Sequence, residues 1–148
     1  MGVSIQNLTR CRTASRSVFL NIAKEVLTDW EISLVFVTPA KAISLNKQLR
    51  GKTYIPNVLS YEVGDKSGEI FICLDEAKKQ APLHKKSEKE FVLALFIHGL
   101  LHIKGWAHGA KMERCEQELL TKYVATNSDR NRHRHVPDKN GRGRRNHR

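Results

Sequence analysis

Three histidines in the segment HGLLHIKGWAH could bind one metal ion. His98 and His102 are four residues apart, so on a helix both imidazoles lie on one face. Gly105 permits a sharp reversal at positive φ, after which His108 can return toward the same point. Three neutral imidazoles with an open fourth position are typical of catalytic zinc sites. The spacing therefore predicts a metal centre of His98, His102 and His108. The alternative is that these three histidines have structural roles only.

Gly99 directly follows the first histidine, where proteases with an HExxH motif carry glutamate. That glutamate is the general base that deprotonates the metal-bound water. A peptide-hydrolysing mechanism would here need another carboxylate, for example Glu113 or Glu116. A metal ion can lower the pKa of its water to about 7 without such a base. Attack of metal-bound hydroxide on a phosphodiester therefore fits the segment better than amide hydrolysis.

The formal net charge of +11 indicates an anionic partner. Residues 129–148 contain eight cationic and two acidic side chains, and therefore carry +6 of that charge. Because these residues include no Phe, Trp or Tyr, we expect them to be disordered. They either add affinity for phosphate backbones or act only as a solubilising tail. We predict a single metal-dependent hydrolase domain over residues 1–125 and a basic, disordered tail over residues 126–148.

The remaining composition favours a cytoplasmic protein without a membrane anchor. No apolar run approaches the roughly 20 residues of a membrane-spanning helix. The opening residues MGVSIQNLTRCR lack the apolar core of a secretory signal. Cys11, Cys73 and Cys115 are far apart and odd in number, which favours reduced thiols over a disulfide framework.

Hydrophobic periodicity predicts mixed strands and helices, including two hairpin-like strand pairs. Thr38 and Pro39 are typical of a helix start, and the helix they begin is expected to turn Ala42, Leu45 and Leu49 inward. The other predicted helices cover residues 15–27, 75–80, 87–104 and 110–124, and the predicted strands cover residues 3–7, 31–38, 58–61 and 69–74.

The helix after Ser87 is apolar nearly all round and should be the central buried helix. Ser87 and Glu90 form the pattern of a capping box at its start, and Gly105 follows its end. We therefore predict an α+β fold: a small mixed β-sheet covered by helices, with a central buried helix carrying two metal-ligand histidines.

The histidine segment resembles the HGxLHLxGyDH signature of the YbeY family of bacterial metal-dependent endoribonucleases. The segment LNKQLRGKTYIPNVLSY, residues 45–61, is similar to the LNxxYRGKDxPTDVLSF block of that family. The segment SGEIFICLDEAKKQA is similar to a strand and helix of the same family. The order and spacing of the three segments agree with the family over residues 35–120. Among its departures from the family pattern, Ala107 replaces Asp, Pro56 replaces Thr and Tyr61 replaces Phe.

The resemblance implies one zinc-like ion, Zn²⁺, per chain on His98, His102 and His108. It also implies hydrolysis of single-stranded RNA in 16S rRNA 3′-end maturation and ribosome quality control, with ribosomal RNA precursors and the ribosome as partners. Arg50 matches the family's arginine and is expected to clamp a phosphate. By itself, Arg50 would also fit the role of a cation at a helix C-terminus.

Three functions are compatible with the sequence. The first is a single-strand-specific, metal-dependent endoribonuclease with Arg50 as a catalytic residue. The second is a metallopeptidase, which the glycine at position 99 disfavours. The third is a non-catalytic ribosome- or RNA-binding factor that retains a metal ion, toward which Ala107 points because the family's Asp could orient a ligand or carry protons.

Overall fold

The computed structural model describes the backbone of residues 2–134 and the side chains of residues 2–125. The four strands are β1 Gly2–Asn7, β2 Glu31–Val37, β3 Val58–Gly64 and β4 Ser67–Cys73. The five α-helices are α1 Arg16–Val26, α2 Pro39–Arg50, α3 Leu74–Gln80, α4 Glu88–Lys104 and α5 Ala110–Arg134. A short 3₁₀ helix, Ala81–His84, joins α3 to the loop before α4. No helix in this part of the chain is long and apolar enough to cross a membrane.

The four strands form one mixed sheet in the order β1-β2-β4-β3. Only β3 and β4 form an antiparallel hairpin, whereas β1 pairs with β2 and β2 pairs with β4 in parallel. The structure therefore contains one hairpin where the sequence predicted two hairpin-like strand pairs. Helix α1 lies between these two strands in the chain and acts as the crossover that a parallel pair requires.

Helix α4 is the central helix, as predicted. Ten of its residues between Phe91 and Ile103 are buried, and the helix packs against β3, β4, α1 and α5. Its start has the predicted capping box: the Glu90 amide donates to Ser87 Oγ at 3.1 Å, and the Ser87 amide donates to Glu90 Oε1 at 3.0 Å. Gly105 ends the helix at a φ of 103°, a conformation that favours glycine. The predicted α+β fold is thus confirmed.

Two glycines let α4 approach the sheet closely. A Cβ atom added to Gly99 on α4 would lie 3.2 Å from Ile70 Cδ1 and 3.3 Å from Ser60 Cβ. A Cβ atom added to Gly68 on β4 would lie 2.9 Å from Ile103 Cδ1. The spacing between helix and sheet at these points therefore depends on the missing side chains.

Two expectations, one on the orientation of a side chain and one on the end of a helix, differ from the structure. Leu49 was predicted to face inward, but the residue is 45% exposed because it lines an open cleft instead of the core. Helix α5 extends to Arg134 rather than ending near Val124. Of the predicted tail, residues 126–148, the structure describes only the backbone of residues 126–134. Residues 135–148 lie outside the described part of the chain.

Candidate metal centre and its cleft

The imidazole Nε2 atoms of the three predicted ligands converge on one point. His102 Nε2 lies 3.0 Å from His98 Nε2 and 3.1 Å from His108 Nε2. Helix α4 supplies His98 and His102, and the positive φ of Gly105 redirects the chain so that His108 meets them. Within the described part of the chain, these histidines form the one group of three or more His, Cys, Asp or Glu side chains that could hold a metal ion.

The three Nε2 atoms are arranged as ligands of a cation would be, and hydrogen bonds among the rings cannot account for all of their close contacts. Glu116 Oε2 lies 2.5 Å from Nδ1 of His98, and an ionised carboxylate can only accept, so the ring proton is on Nδ1 and Nε2 presents a lone pair. His102 Nε2 faces two other ring nitrogens but, as a neutral imidazole, can donate to only one of them. Tetrahedral Zn²⁺ would separate its nitrogen ligands by about 3.3 Å, close to the distances found here.

The protonation state of His102 also favours a ligand role. Burial lowers the pKa of His102, and the neighbouring His98 and His108 lower it further. A lowered pKa keeps the imidazole neutral near pH 7, and the neutral ring is the form that binds metal ions.

The three histidines lie in an open cleft of about 850 Å³. Its opposite wall is formed by the end of α2, the following loop and strand β3, with Gln80 at one side. Arg50, the last residue of α2, lines this cleft as well, and its Nη1 donates to the Tyr54 hydroxyl at 3.0 Å. Ser60 of β3 lines the cleft too.

Of the described residues that line the cleft, none is acidic. The lining comprises the three histidines, one cation and polar or apolar side chains: Leu49, Arg50, Tyr54, Ile55, Pro56, Asn57, Val58, Leu59, Ser60, Tyr61, Gln80, His98, His102 and His108. The cleft therefore suits an anionic ligand better than a cationic one.

Hydrogen bonds near both ends hold the loop between α2 and β3 in place. Asn46 is fully buried, and its Nδ2 donates to the Tyr54 carbonyl at 3.0 Å. At the other end of the loop, Asn57 Nδ2 donates to Gln80 Oε1 at 2.8 Å, and the Asn57 carbonyl accepts from the Cys73 amide at 3.0 Å. These contacts fix the wall that faces the histidines.

Glu113 and Glu116 lie away from this cleft. Both line a separate cavity of about 510 Å³ between α4 and α5, which borders His98 from the side of Nδ1. A carboxylate at either position is therefore not placed as the base of a metallopeptidase. Cys115, a residue of α5, is outside the histidine cluster.

Gly99 is explained by packing rather than by chemistry. Its Cα faces Ser60 and Ile70 of the sheet, and a side chain here would enter the interface between α4 and the sheet instead of the metal side. A glutamate at this position would have to leave the helix against Ile70 and Ser60, so these neighbours would have to move to accommodate it.

Sequence reasoning missed three residues of this region. Glu116 was considered only as a general base, and its contact with His98 crosses between two helices, so no spacing signal exists. Tyr54 and Asn46 were not singled out, although an Asn in a helix next to a long irregular loop is a signal of local backbone capping.

The chain is similar in sequence to a family of known proteins. A family model described as "Endoribonuclease YbeY" matches residues 4–125. Three relatives bearing the same name are similar to the chain. That of Phytoplasma australiense is 28% identical over 82% of this chain and 95% of its own length. That of Nautilia profundicola is 34% identical over 70% and 79%, and that of Onion yellows phytoplasma is 31% identical over 88% and 99%.

A solved structure shares the fold. The solution structure of TM1509 from Thermotoga maritima superimposes with a TM-score of 0.63 at 20% identity, covering 96% of this chain and 99% of that protein. At this identity the likeness supports the fold alone.

Proposed function

The chain belongs to the YbeY endoribonuclease family, and on that premise we propose that it is a zinc-dependent endoribonuclease specific for single-stranded RNA. Its proposed role is 16S rRNA 3′-end maturation and ribosome quality control, in the cytoplasm, with ribosomal RNA precursors and the ribosome as partners. The observation that carries the proposal is the convergence of three Nε2 atoms in a cleft that has a cation and no acidic lining residue.

His98, His102 and His108 are the proposed ligands of one Zn²⁺ per chain. When bound, such an ion supplies Lewis-acid polarisation of a phosphoryl oxygen and lowers the pKa of water. The open side of the histidine cluster faces the cleft, so a phosphodiester could reach it directly.

Arg50 is the proposed catalytic residue. One of its guanidinium N–H groups is engaged by the Tyr54 hydroxyl, which fixes the side chain over the cleft. The remaining N–H groups can form a bidentate contact with two oxygens of the scissile phosphate. Arg50 would then stabilise the extra negative charge that develops in the transition state.

Proton transfer in this site relies on the substrate. No carboxylate lines the described cleft, and Ala107 has no proton-carrying side chain. An oxygen of the anionic phosphate is therefore the proposed acceptor of the proton released from the attacking group. This arrangement suits a phosphodiester and not a neutral amide, which disfavours the metallopeptidase alternative.

A non-catalytic RNA-binding factor remains the second candidate, and Ala107 is the feature that favours it. We also propose that residues 1–125 form the hydrolase domain and that the basic residues 126–148 add affinity for RNA. Removal of the tail should then weaken RNA binding and reduce its salt dependence, with cleavage chemistry unchanged.

The decisive experiment compares cleavage of a labelled single-stranded RNA by the wild-type protein, His102→Ala and Arg50→Lys, each with and without added Zn²⁺. We expect wild type to cut, His102→Ala to be inactive, and Arg50→Lys to be slower because lysine cannot form a bidentate contact. Equal cutting by all three would place the activity in a contaminant. RNA binding without cleavage by metal-loaded wild type would favour the non-catalytic factor.

A further inference from the structure

Tyr54 presents an unusually well-anchored aromatic ring to the cleft. Its backbone carbonyl accepts from the buried Asn46 side chain at 3.0 Å, and its hydroxyl accepts from Arg50 at 3.0 Å. Even so, the residue is 52% exposed. The backbone carbonyl and the hydroxyl of Tyr54 are therefore both held by hydrogen bonds, while the residue lines the cleft and about half of it stays exposed.

The position of this ring points to a ligand rather than to packing. Leu8, Leu49, Val63 and Leu83 are the other large apolar side chains with high exposure among the described residues, and of these only Leu49 shares the cleft with Tyr54. Leu49 directly precedes Arg50 in the chain, and the Tyr54 hydroxyl contacts the Arg50 guanidinium at 3.0 Å, with all three residues lining the cleft. An apolar surface thus adjoins the cation proposed to hold a phosphate.

We propose that Tyr54 stacks on a nucleobase of the RNA, next to the phosphate held by Arg50. This inference rests on the proposed function and adds a specificity-determining residue to it. The hydrogen bond between Arg50 and the Tyr54 hydroxyl sets the spacing between phosphate and base sites. Stacking on a tyrosine ring tolerates every base, because each base has a π-face.

This contact explains how the cleft selects single strands. A base in a duplex is stacked on its neighbours and paired along its edge, so it cannot offer a face to Tyr54. An unpaired base can be splayed out onto the ring. Tyr54 therefore raises the affinity for unpaired RNA over duplex RNA, whatever the base sequence.

The test uses binding and an abasic substrate. A fluorescein-labelled hexanucleotide RNA is titrated with metal-free protein, with each base removed in turn from successive oligonucleotides. At one position, loss of the base should weaken wild-type binding by about 5-fold to 100-fold. In Tyr54→Leu the same loss should change binding less than about twofold, because the stacking partner has already gone.

Two variants separate stacking from support of Arg50. Tyr54→Phe keeps the ring and loses the hydroxyl, so it should retain the abasic penalty. Val63→Ala, at an equally exposed site outside the cleft, should behave as wild type. The proposal is overturned if Tyr54→Phe and Tyr54→Leu are impaired equally with the abasic penalty intact in both, or if no position shows a penalty in wild type.

The proposal and the function on which it rests fail in different ways. Cleavage by wild type without any abasic penalty would leave the endoribonuclease intact and remove the stacking role of Tyr54. An abasic penalty without metal-dependent cleavage would support the stacking site in an RNA-binding protein that is not a nuclease.

Discussion

The Nδ1 atom of His98 donates to Glu116 Oε2 at 2.5 Å, so a carboxylate on α5 orients a histidine on α4. This contact fixes the tautomer in which Nε2 faces His102 and the cleft. An ionised partner also makes the ring a stronger electron donor. Helix α5 thereby contributes to the candidate metal centre without supplying a ligand.

We expect Glu116→Gln to weaken zinc binding by about 10-fold to 100-fold, because a neutral amide oxygen accepts more weakly than a carboxylate. The measurement is competition with a chelator of known affinity. Glu113→Gln is the matched control, since Glu113 lines the same cavity but the His98 ring bonds to Glu116 instead. Equal affinities in the two variants would remove the orienting role from Glu116, provided that both metal-free proteins melt at the wild-type temperature.

Gly99→Glu should destabilise the protein by more than about 3 kcal/mol and create no peptidase activity. The new side chain would enter the interface with Ser60 and the fully buried Ile70. Gly99→Ala should cost less, up to about 2 kcal/mol, because helix propensity offsets part of the overpacking.

Urea unfolding measures both variants of Gly99. Lys89→Glu is the control for added negative charge, because Lys89 is exposed in the first turn of the same helix and its replacement should change stability by less than about 0.5 kcal/mol. A stable Gly99→Glu protein would show that α4 can move away from the sheet.

Gly68→Ala and Ile103→Val should compensate each other. The alanine Cβ would meet Ile103 Cδ1 at 2.9 Å, and valine lacks that atom. Alone, Gly68→Ala should cost about 1–2 kcal/mol and Ile103→Val about 0.5–1.5 kcal/mol. The double variant should be more stable than the sum predicts by at least about 0.5 kcal/mol. Strict additivity in denaturant unfolding would contradict this close contact.

The contact of Tyr123 with Glu25 ties α5 to α1 and should make stability depend on pH. Tyr123 donates to Glu25 Oε1 at 2.6 Å, and this hydrogen bond, followed by that of Lys122, lowers the pKa of Glu25 below its ordinary 4.5. The stabilisation is therefore present above that value and is lost as the pH falls through the lowered pKa.

Tyr123→Phe should lower the free energy of unfolding by about 0.5–1 kcal/mol at neutral pH, and by less in acid. Thermal unfolding between about pH 3 and pH 7 measures the difference. In a Glu25→Gln background the effect of Tyr123→Phe should no longer vary over this range. Persistent variation there would assign the pH dependence to another group.

Local patterns predicted most elements and the histidine cluster. The His98 and His102 spacing, the capping box at Ser87 and the glycine at position 105 act over a few residues, so the sequence displays them directly. The parallel pairing of β1 with β2 depends on a crossover and on sheet order, which strand periodicity does not encode.

The rest of the candidate site depends on contacts between distant segments. Glu116 reaches His98 across 18 residues, and Gly99 meets Ser60 and Ile70 from another element. The sequence shows that position 99 lacks glutamate but not why, because only the packing of helix on sheet shows that a side chain there would be crowded by Ser60 and Ile70.

Because Gly105 ends α4, the candidate ligands lie partly within a buried helix and partly in a short segment after it. His98 and His102 belong to the buried helix α4, whereas His108 follows the helix end in a short segment bounded by Gly105 and Gly109, both at positive φ. Motion of that segment could open the coordination sphere while α4 stays folded. The exchange rate of a bound ion would then measure the opening of residues 106–108 alone. A chelator would remove the ion at a rate that does not depend on the rate of global unfolding.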